Sequence, residues 1–130
     1  MSFSCSIVSP EQELYSGDVE YVVVPGFDDG NVGFLKGHAP YIGRMGCGTL
    51  RVRETGGQEH RWLVYQGFVE FSNNVLTVLA SSTQKPEDVT DAMIQQDRDE
   101  IPSLPSRTET EYEEKQRRQS ILKARVLAKQ

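Results

Sequence analysis

The first 80 residues alternate short apolar runs with residues that favour turns. Val19, Tyr21 and Val23 occupy one face of a predicted strand, and the positions between them change from polar to apolar toward Val24. Similar runs recur at residues 61–65, 68–71 and 75–79. Closely spaced runs of this kind predict an amino-terminal antiparallel β-sandwich of about ten short strands.

Two polar segments separate the last three of these runs. Gln66-Gly67 and Ser72-Asn73-Asn74 consist of residues that favour tight turns. The three runs are therefore expected to form a group of strands joined by such turns.

The pattern changes after Ala80, where aromatic and β-branched residues become rare. Pro86-Glu87-Asp88 predicts the start of a helix, because proline is favoured in the first turn and acidic side chains favour the positive end of the helix dipole. Pro102 and Pro105 should end this helix, since a proline in a helix interior costs about 3 kcal/mol.

A second helix is predicted from near residue 107. Ser106-x-x-Glu109 and Thr108-x-x-Glu111 both match the capping box, in which a side chain satisfies free amides at a helix start. The helix can continue to the end of the chain. Residues 1–84 are therefore predicted to form the β-sandwich domain, and residues 85–130 a carboxy-terminal two-helix hairpin.

Composition narrows the class of protein. The 130 residues suit one domain with an appendage, and 37% hydrophobic with 25% charged residues is typical of a globular chain. A net charge of −5 argues against nucleic-acid binding, which rewards basic surfaces. No apolar run approaches the roughly 20 residues of a membrane-spanning helix, so any membrane role is expected to be peripheral. Residues 1–8 lack signal-peptide features, which disfavours secretion and import.

Motifs for metals and cofactors are not found in the sequence. His38 and His60 are the only histidines, and neither has a second ligand at metal-site spacing. The glycines within residues 26–33 match neither a dinucleotide fingerprint nor a phosphate loop. Asp28-Asp29-Gly30 lacks the EF-hand arrangement. The sequence therefore predicts no cofactor, no metal and no catalytic residue.

The two cysteines do not suggest chemistry either. Cys5 and Cys47 are far apart in the chain, and neither belongs to a Cys-x-x-Cys pair. Both are predicted to be buried free thiols.

One segment resembles a family signature. Gly37-His38-Ala39-Pro40 resembles the corresponding region of the epsilon subunits of bacterial F-type ATP synthases. Four further segments agree in order: residues 7–17, Gly48-Thr49-Leu50-Arg51-Val52, Gly67-Phe68-Val69-Glu70-Phe71 and residues 75–80. The resemblance covers residues 3 to 80.

This resemblance implies a non-catalytic subunit of the central stalk. Such a subunit would couple ion flow through the membrane c ring to ATP synthesis by binding the gamma subunit and the c ring. The implied interface residues are Asp28, Asp29, Asn31, His38 and Tyr41. The sequence departs from the family where Asn31 replaces a common acidic residue and Lys36 a common proline.

In this family the carboxy-terminal hairpin either folds against the sandwich or extends into the catalytic head, where it blocks ATP hydrolysis. No acidic residue follows Glu114, so the end of the second predicted helix carries uncompensated positive charge. Its residues expected to contact the alpha and beta subunits are Lys115, Arg117, Arg118, Lys123 and Arg125. Complementing the helix dipole is the alternative explanation for part of this charge.

Some relatives bind ATP on the hairpin through an [I/L]-D-x-x-R-A motif. Here Thr90, Met93 and Ile94 stand at the acidic, arginine and alanine positions. ATP binding by this chain is therefore not expected.

The implied location is the cytoplasmic face of the bacterial inner membrane, with membrane contact only through the complex. An alternative is a free-standing adaptor whose sandwich binds a peptide or a carbohydrate. That adaptor would need an exposed aromatic platform made of Trp62, Tyr65 or Phe68. A small hydrolase dependent on His38 is a third hypothesis.

Overall fold

The computed structural model describes residues 2–27 and 30–129. Its strands are β1 Phe3–Val8, β2 Glu13–Pro25, β3 Asn31–Phe34, β4 Tyr41–Glu54, β5 Glu59–Ser72, β6 Val75–Ala80 and β7 Thr83–Gln84. Two α-helices follow, α1 Asp91–Glu100 and α2 Glu109–Ala128. The predicted order of a β-sandwich and then two helices is confirmed, but the described residues form seven strands, of which three are long, rather than ten short ones.

The strands are hydrogen-bonded in the order β1-β6-β5-β4-β2-β3, with β7 beside β5. A further pairing of β1 with β2 closes the arrangement into a ring. The β1–β6 pair is parallel, which is an exception to the predicted antiparallel pattern. It arises because β1 lies between β6 and the first half of β2, while the second half of β2 pairs with β3 and β4.

Gln66 and Gly67 do not form the predicted turn, because they lie inside β5. Their φ angles of 70° and 151° bend the strand opposite Gly46. Val64 before the bend and Val69 after it both enter the same core, although they are five positions apart. A strand that alternated without interruption would place them on opposite faces. Because of the bend, the two halves of β5 both contribute side chains to the same core.

The predicted turn after Ser72 is confirmed at Asn73 and Asn74. Their φ angles of 53° and 59° are those of a two-residue hairpin loop, in which both central residues are left-handed. Asparagine tolerates this conformation better than most residues do.

Two clusters of apolar side chains hold the fold together. The larger fills the sandwich, where the rings of Phe34 and Phe71 stack with centroids 5.7 Å apart. The smaller lies between the outer face of β5 and the two helices. Its buried members are Leu63, Tyr65, Val89, Ile94, Ile121 and Ala124.

Helix α1 begins later than predicted. Pro86–Asp88 form only a single 3-10 turn, and Val89 is extended, so that its side chain is buried in the smaller cluster. Thr90 then caps α1 by accepting a hydrogen bond from the Met93 amide at 3.1 Å. The predicted start at residue 86 was wrong because tertiary burial of Val89 interrupts the helical path.

The caps of α2 follow one of the two predicted boxes. Thr108 Oγ1 accepts a hydrogen bond from the Glu111 amide at 3.1 Å, and α2 starts at Glu109. The Thr108-x-x-Glu111 match is therefore the one used.

Candidate interaction surfaces

The Gly37–Pro40 loop closes the aromatic end of the sandwich core. The Gly37 amide donates to Asn74 Oδ1 at 2.8 Å, which ties this loop to the β5–β6 turn. The His38 ring lies 4.8 Å from the Phe34 ring and 5.6 Å from the Phe71 ring, measured between centroids. The His38 side chain is therefore partly buried and covers one end of the core.

Tyr41 lies beside His38, and Asn31 does not. The Tyr41 ring is 6.3 Å from the His38 ring. Asn31 starts β3, whereas His38 and Tyr41 follow the other end of that strand. The structure thus divides the predicted interface residues into two groups, and Asp28 and Asp29 lie outside the described residues.

The group around Asn31 contains two residues that the sequence analysis missed. The guanidinium carbon of Arg44 lies 4.0 Å from the centroid of the exposed Phe27 ring. The Gly26 amide donates to the Gly30 carbonyl at 2.8 Å and closes the base of the loop. An arginine stacked on an aromatic face stiffens both side chains at this end of the sandwich.

A larger apolar surface covers the outer face of β4, β5 and β6. The paired residues Phe68 and Leu79 are 55% and 50% exposed, Ile42 is 76% exposed, and Val75 is 46% exposed. The register of β4, β5 and β6 places these side chains on the same side of the sheet. Alternation along single strands cannot reveal this surface, because each strand also contributes buried residues.

The exposed side chains Ile42, Phe68, Val75 and Leu79 are called the apolar face below. Tyr41 pairs with the buried Phe71 and therefore lies on the opposite side of β4 from Ile42. The Gly37–Pro40 loop borders this face, because Val75 follows Asn74, which accepts the hydrogen bond from Gly37.

The hairpin lies folded against the sandwich, and its arginines are paired there. Arg125 contacts Asp97 at 2.7 Å, and Arg118 contacts Glu100 at 2.9 Å and Asp97 at 3.4 Å. Helix α1 therefore supplies the acidic partners of these two arginines.

The prediction that the positive charge at the end of α2 is uncompensated is largely wrong. Besides those two arginines, Arg117 contacts Glu114 at 3.4 Å and Lys129 contacts Asp91 at 3.7 Å. Within the described part of the chain, Lys115 and Lys123 have no ion pair. These two lysines remain the accessible positive charges of α2, and their role as arm contacts stays a prediction.

The positions of the ATP motif make structural contacts instead. Thr90 caps α1, Ile94 is buried in the smaller cluster, and Met93 Sδ lies 3.5 Å from Gln84 Nε2. A polar nucleotide site at these positions would have to replace all three contacts.

A polar cluster links β2, β4 and β5. Glu54 Oε1 accepts a hydrogen bond from Tyr15 Oη at 3.1 Å and lies 3.0 Å from His60 Nε2. Burial and then the Glu54 contact raise the pKa of Tyr15 to about 12. The His60 ring stacks on Trp62, with centroids 5.9 Å apart. The cluster braces three strands, and no group of three metal-ligating side chains is found in residues 2–27 and 30–129.

The aromatic platform of the adaptor hypothesis does not form. Tyr65 is buried beneath the hairpin, and Trp62 packs partly buried against the core. Of these three residues only Phe68 is strongly exposed, and its partners in the sheet are Arg44 and Leu79 rather than aromatic residues.

Residues 2–86 match the family model described as ATP synthase, Delta/Epsilon chain, beta-sandwich domain. The chain belongs to this ATP synthase delta/epsilon family. The ATP synthase epsilon chain of Chromohalobacter salexigens is 36% identical over 99 residues, which cover 76% of this chain and 70% of that protein. The resemblance to epsilon subunits is thereby confirmed.

Two solved structures share the fold of this delta/epsilon family member. A chain of the Euglena gracilis mitochondrial ATP synthase, in a structure of OSCP, F1 and c ring, has a TM-score of 0.86 at 15% identity and covers 99% of this chain and 82% of that one. A chain of the Tetrahymena thermophila mitochondrial ATP synthase central stalk and c ring has a TM-score of 0.77 at 12% identity, with coverages of 98% and 96%.

Neither helix of the described hairpin has the length and apolar character that crossing a bilayer requires.

Proposed function

We propose that this chain is a non-catalytic subunit of the central stalk of an F-type ATP synthase. It would couple ion flow through the c ring to ATP synthesis in the catalytic head. The family match and the identity with an epsilon chain support this proposal. The likeness to chains from two ATP synthase assemblies supports the fold that it needs.

The observation that carries the proposal is the apolar face. Contiguous exposed apolar surface with polar residues around it is typical of a protein–protein interface. Here Phe68 and Leu79 lie side by side, and Arg44 and Glu70 on the neighbouring strand positions supply polar groups. We assign this face to the gamma subunit, which would bury its apolar side chains.

The loop that contains Phe27 is assigned to the c ring. It joins β2, which ends at Pro25, to β3, which begins at Asn31, and so belongs to one end of the domain. The Arg44 guanidinium stacked on Phe27 adds a positive charge at this end, and Asp28 and Asp29 would add negative charges.

The hairpin is assigned a second, regulatory role. Extended toward the catalytic head, α2 would present Lys115 and Lys123 together with arginines released from α1 to an acidic surface of the beta subunit. Hydrolysis by the head with full-length chain should then rise with salt, because at about 0.5 M the Debye length is only about 4 Å. Hydrolysis independent of salt and of added chain would contradict the inhibitory role.

Replacement of an exposed apolar side chain tests the gamma assignment. Phe68→Ser should weaken binding of purified gamma by at least about tenfold, because central apolar anchors dominate interface energies. Leu127→Ser is the matched control, since Leu127 is 56% exposed and lies on α2, away from the apolar face. The measurement is calorimetric titration, followed by proton-driven ATP synthesis in the reconstituted enzyme.

Both outcomes are decisive for the assignment. Equal gamma affinity for the two variants would exclude the apolar face as the gamma site. If the unaltered chain neither binds gamma nor affects ATP synthesis, the proposed stalk function itself is wrong.

A further inference from the structure

Four hydrogen bonds link five side chains from four elements into a ring that the backbone of α1 closes. On α1, Asp97 accepts from Arg125 of α2 at 2.7 Å. Arg125 Nε donates to the Tyr65 hydroxyl of β5 at 3.3 Å, and that hydroxyl donates to Gln84 Oε1 of β7 at 2.7 Å. Gln84 Nε2 donates to Met93 Sδ at 3.5 Å. Because Met93 and Asp97 are one turn apart on α1, the ring returns to its start.

Asp97 is the buried centre of this arrangement. Only 5% of the residue is exposed, and a buried carboxylate is costly unless positive charges and hydrogen bonds surround it. Arg118 and Arg125 meet this need from the same face of α2, on which they lie about two turns apart. Removing α2 would leave the carboxylate without either arginine.

Both arginines are held in their charged form. Hydrogen bonding to Glu100 raises the pKa of Arg118 despite partial burial. Burial opposes the charge of Arg125, yet its contacts with Tyr65 and Asp97 still raise its pKa. The guanidinium of Arg125 also lies over the Tyr65 ring, 5.5 Å from its centroid.

Apolar packing of the hairpin is thin by comparison. From α1 only Ile94 and from α2 only Ile121 and Ala124 are buried apolar side chains. Most of the outward surface of α2 is polar, and such a helix depends on its side-chain pairs. The ion pairs at Asp97 therefore act together with the smaller apolar cluster in holding the hairpin against β5.

We propose that Asp97, clamped between Arg118 and Arg125, is a latch that holds α2 against β5 and must open before the hairpin can leave the sandwich. Opening frees both arginines for an acidic partner surface at the same moment. The latch is a property of the chain alone, whereas its effect on ATP hydrolysis rests on the proposed stalk function.

Hydrogen exchange of the full-length chain tests the latch. Asp97→Asn keeps the shape of the side chain but removes its charge and replaces one of its two acceptor oxygens with a donor amide. Backbone amides in the second half of α2 should exchange at least about tenfold faster, while those of β4 and β5 remain protected. Asp99→Asn is the matched control, because Asp99 is exposed on the same helix and contacts only Gln95, at 2.9 Å.

A second variant separates the charge from the geometry of the clamp. Arg125→Lys retains the positive charge but loses the rigid fork in which Nε donates to Tyr65 and Nη1 donates to Asp97, because all the donors of a lysine lie on one nitrogen. It should accelerate exchange in α2 by less than Asp97→Asn does. Raising salt should accelerate exchange in the unaltered chain and have little further effect on Asp97→Asn.

Two results would overturn the latch. One is equal exchange of α2 in Asp97→Asn and Asp99→Asn. The other is faster exchange throughout the sandwich strands, which would make Asp97 a general stabilising residue. The assembled enzyme then tests the consequence, because Asp97→Asn should inhibit ATP hydrolysis more strongly than the unaltered chain. Faster exchange without that inhibition would refute the regulatory function and leave the latch intact.

Discussion

Gly67 is the residue on which the bend of β5 depends. Its φ of 151° is rarely adopted by residues with a side chain. A Cβ built at this position would collide with the Leu79 carbonyl oxygen and would lie 2.9 Å from Met45 Cε. Gly67→Ala therefore meets a conformational cost and a steric cost at the same point.

The two costs can be estimated separately. A strained φ costs a residue other than glycine of order 1–3 kcal/mol. Forcing an extra carbon into a packed site costs a further 1–3 kcal/mol or so. The carbonyl of Leu79 cannot move far, because β6 pairs with β5 continuously from Gly67 to Ser72. We therefore expect the free energy of unfolding to fall by about 4 kcal/mol.

Gly57→Ala supplies the control that separates these terms. Gly57 also has a positive φ, 98°, but no atom lies within 4 Å of its built Cβ. It should lose only the conformational part, about 1–2 kcal/mol. Urea unfolding followed by circular dichroism measures both variants. If Gly67→Ala is no less stable than Gly57→Ala, the steric argument for the bend is refuted.

Two further predictions concern local chemistry. Thr108→Ala should destabilise the hairpin by about 1 kcal/mol, because the helix loses its cap. Thr110→Ala is the control, since Thr110 lies inside α2 and does not cap it. Equal effects of the two substitutions in urea unfolding would show that the cap is unimportant. Burial raises the pKa of Cys5 from 9.0 to about 12, so its stabilising contribution is complete below pH 9.0 and is lost as the pH approaches 12. In Cys5→Ala the free energy of unfolding should therefore fall less at alkaline pH. At pH 8 a thiol reagent should modify Cys47 before Cys5, and the reverse order would contradict the burial argument.

Several features were predictable because short-range interactions decide them. The Thr108 cap, the Asn73-Asn74 turn and the ends imposed by Pro102 each depend on a few neighbouring residues. The alternation of the first 80 residues likewise predicted a sandwich. Of the candidate site, the family segments located the Gly37–Pro40 loop but not the apolar face beside it.

The errors have a common physical cause. Gln66-Gly67 resembles a turn in composition, but pairing with β4 and β6 keeps it inside a strand. The helix start near Pro86 was displaced by the burial of Val89. In both cases a tertiary contact outweighed a local conformational preference, which is weak in energy.

By itself, the sequence determined the order of strands and helices, the family and the composition of each element. Only the tertiary structure decided which faces remain apolar and which charges are neutralised. Asp97 and Arg125 are 28 positions apart, and Phe68 meets Leu79 only through strand pairing. Burial and ion pairing depend on distances in space, so residues far apart in the chain determine whether a basic helix is free or held.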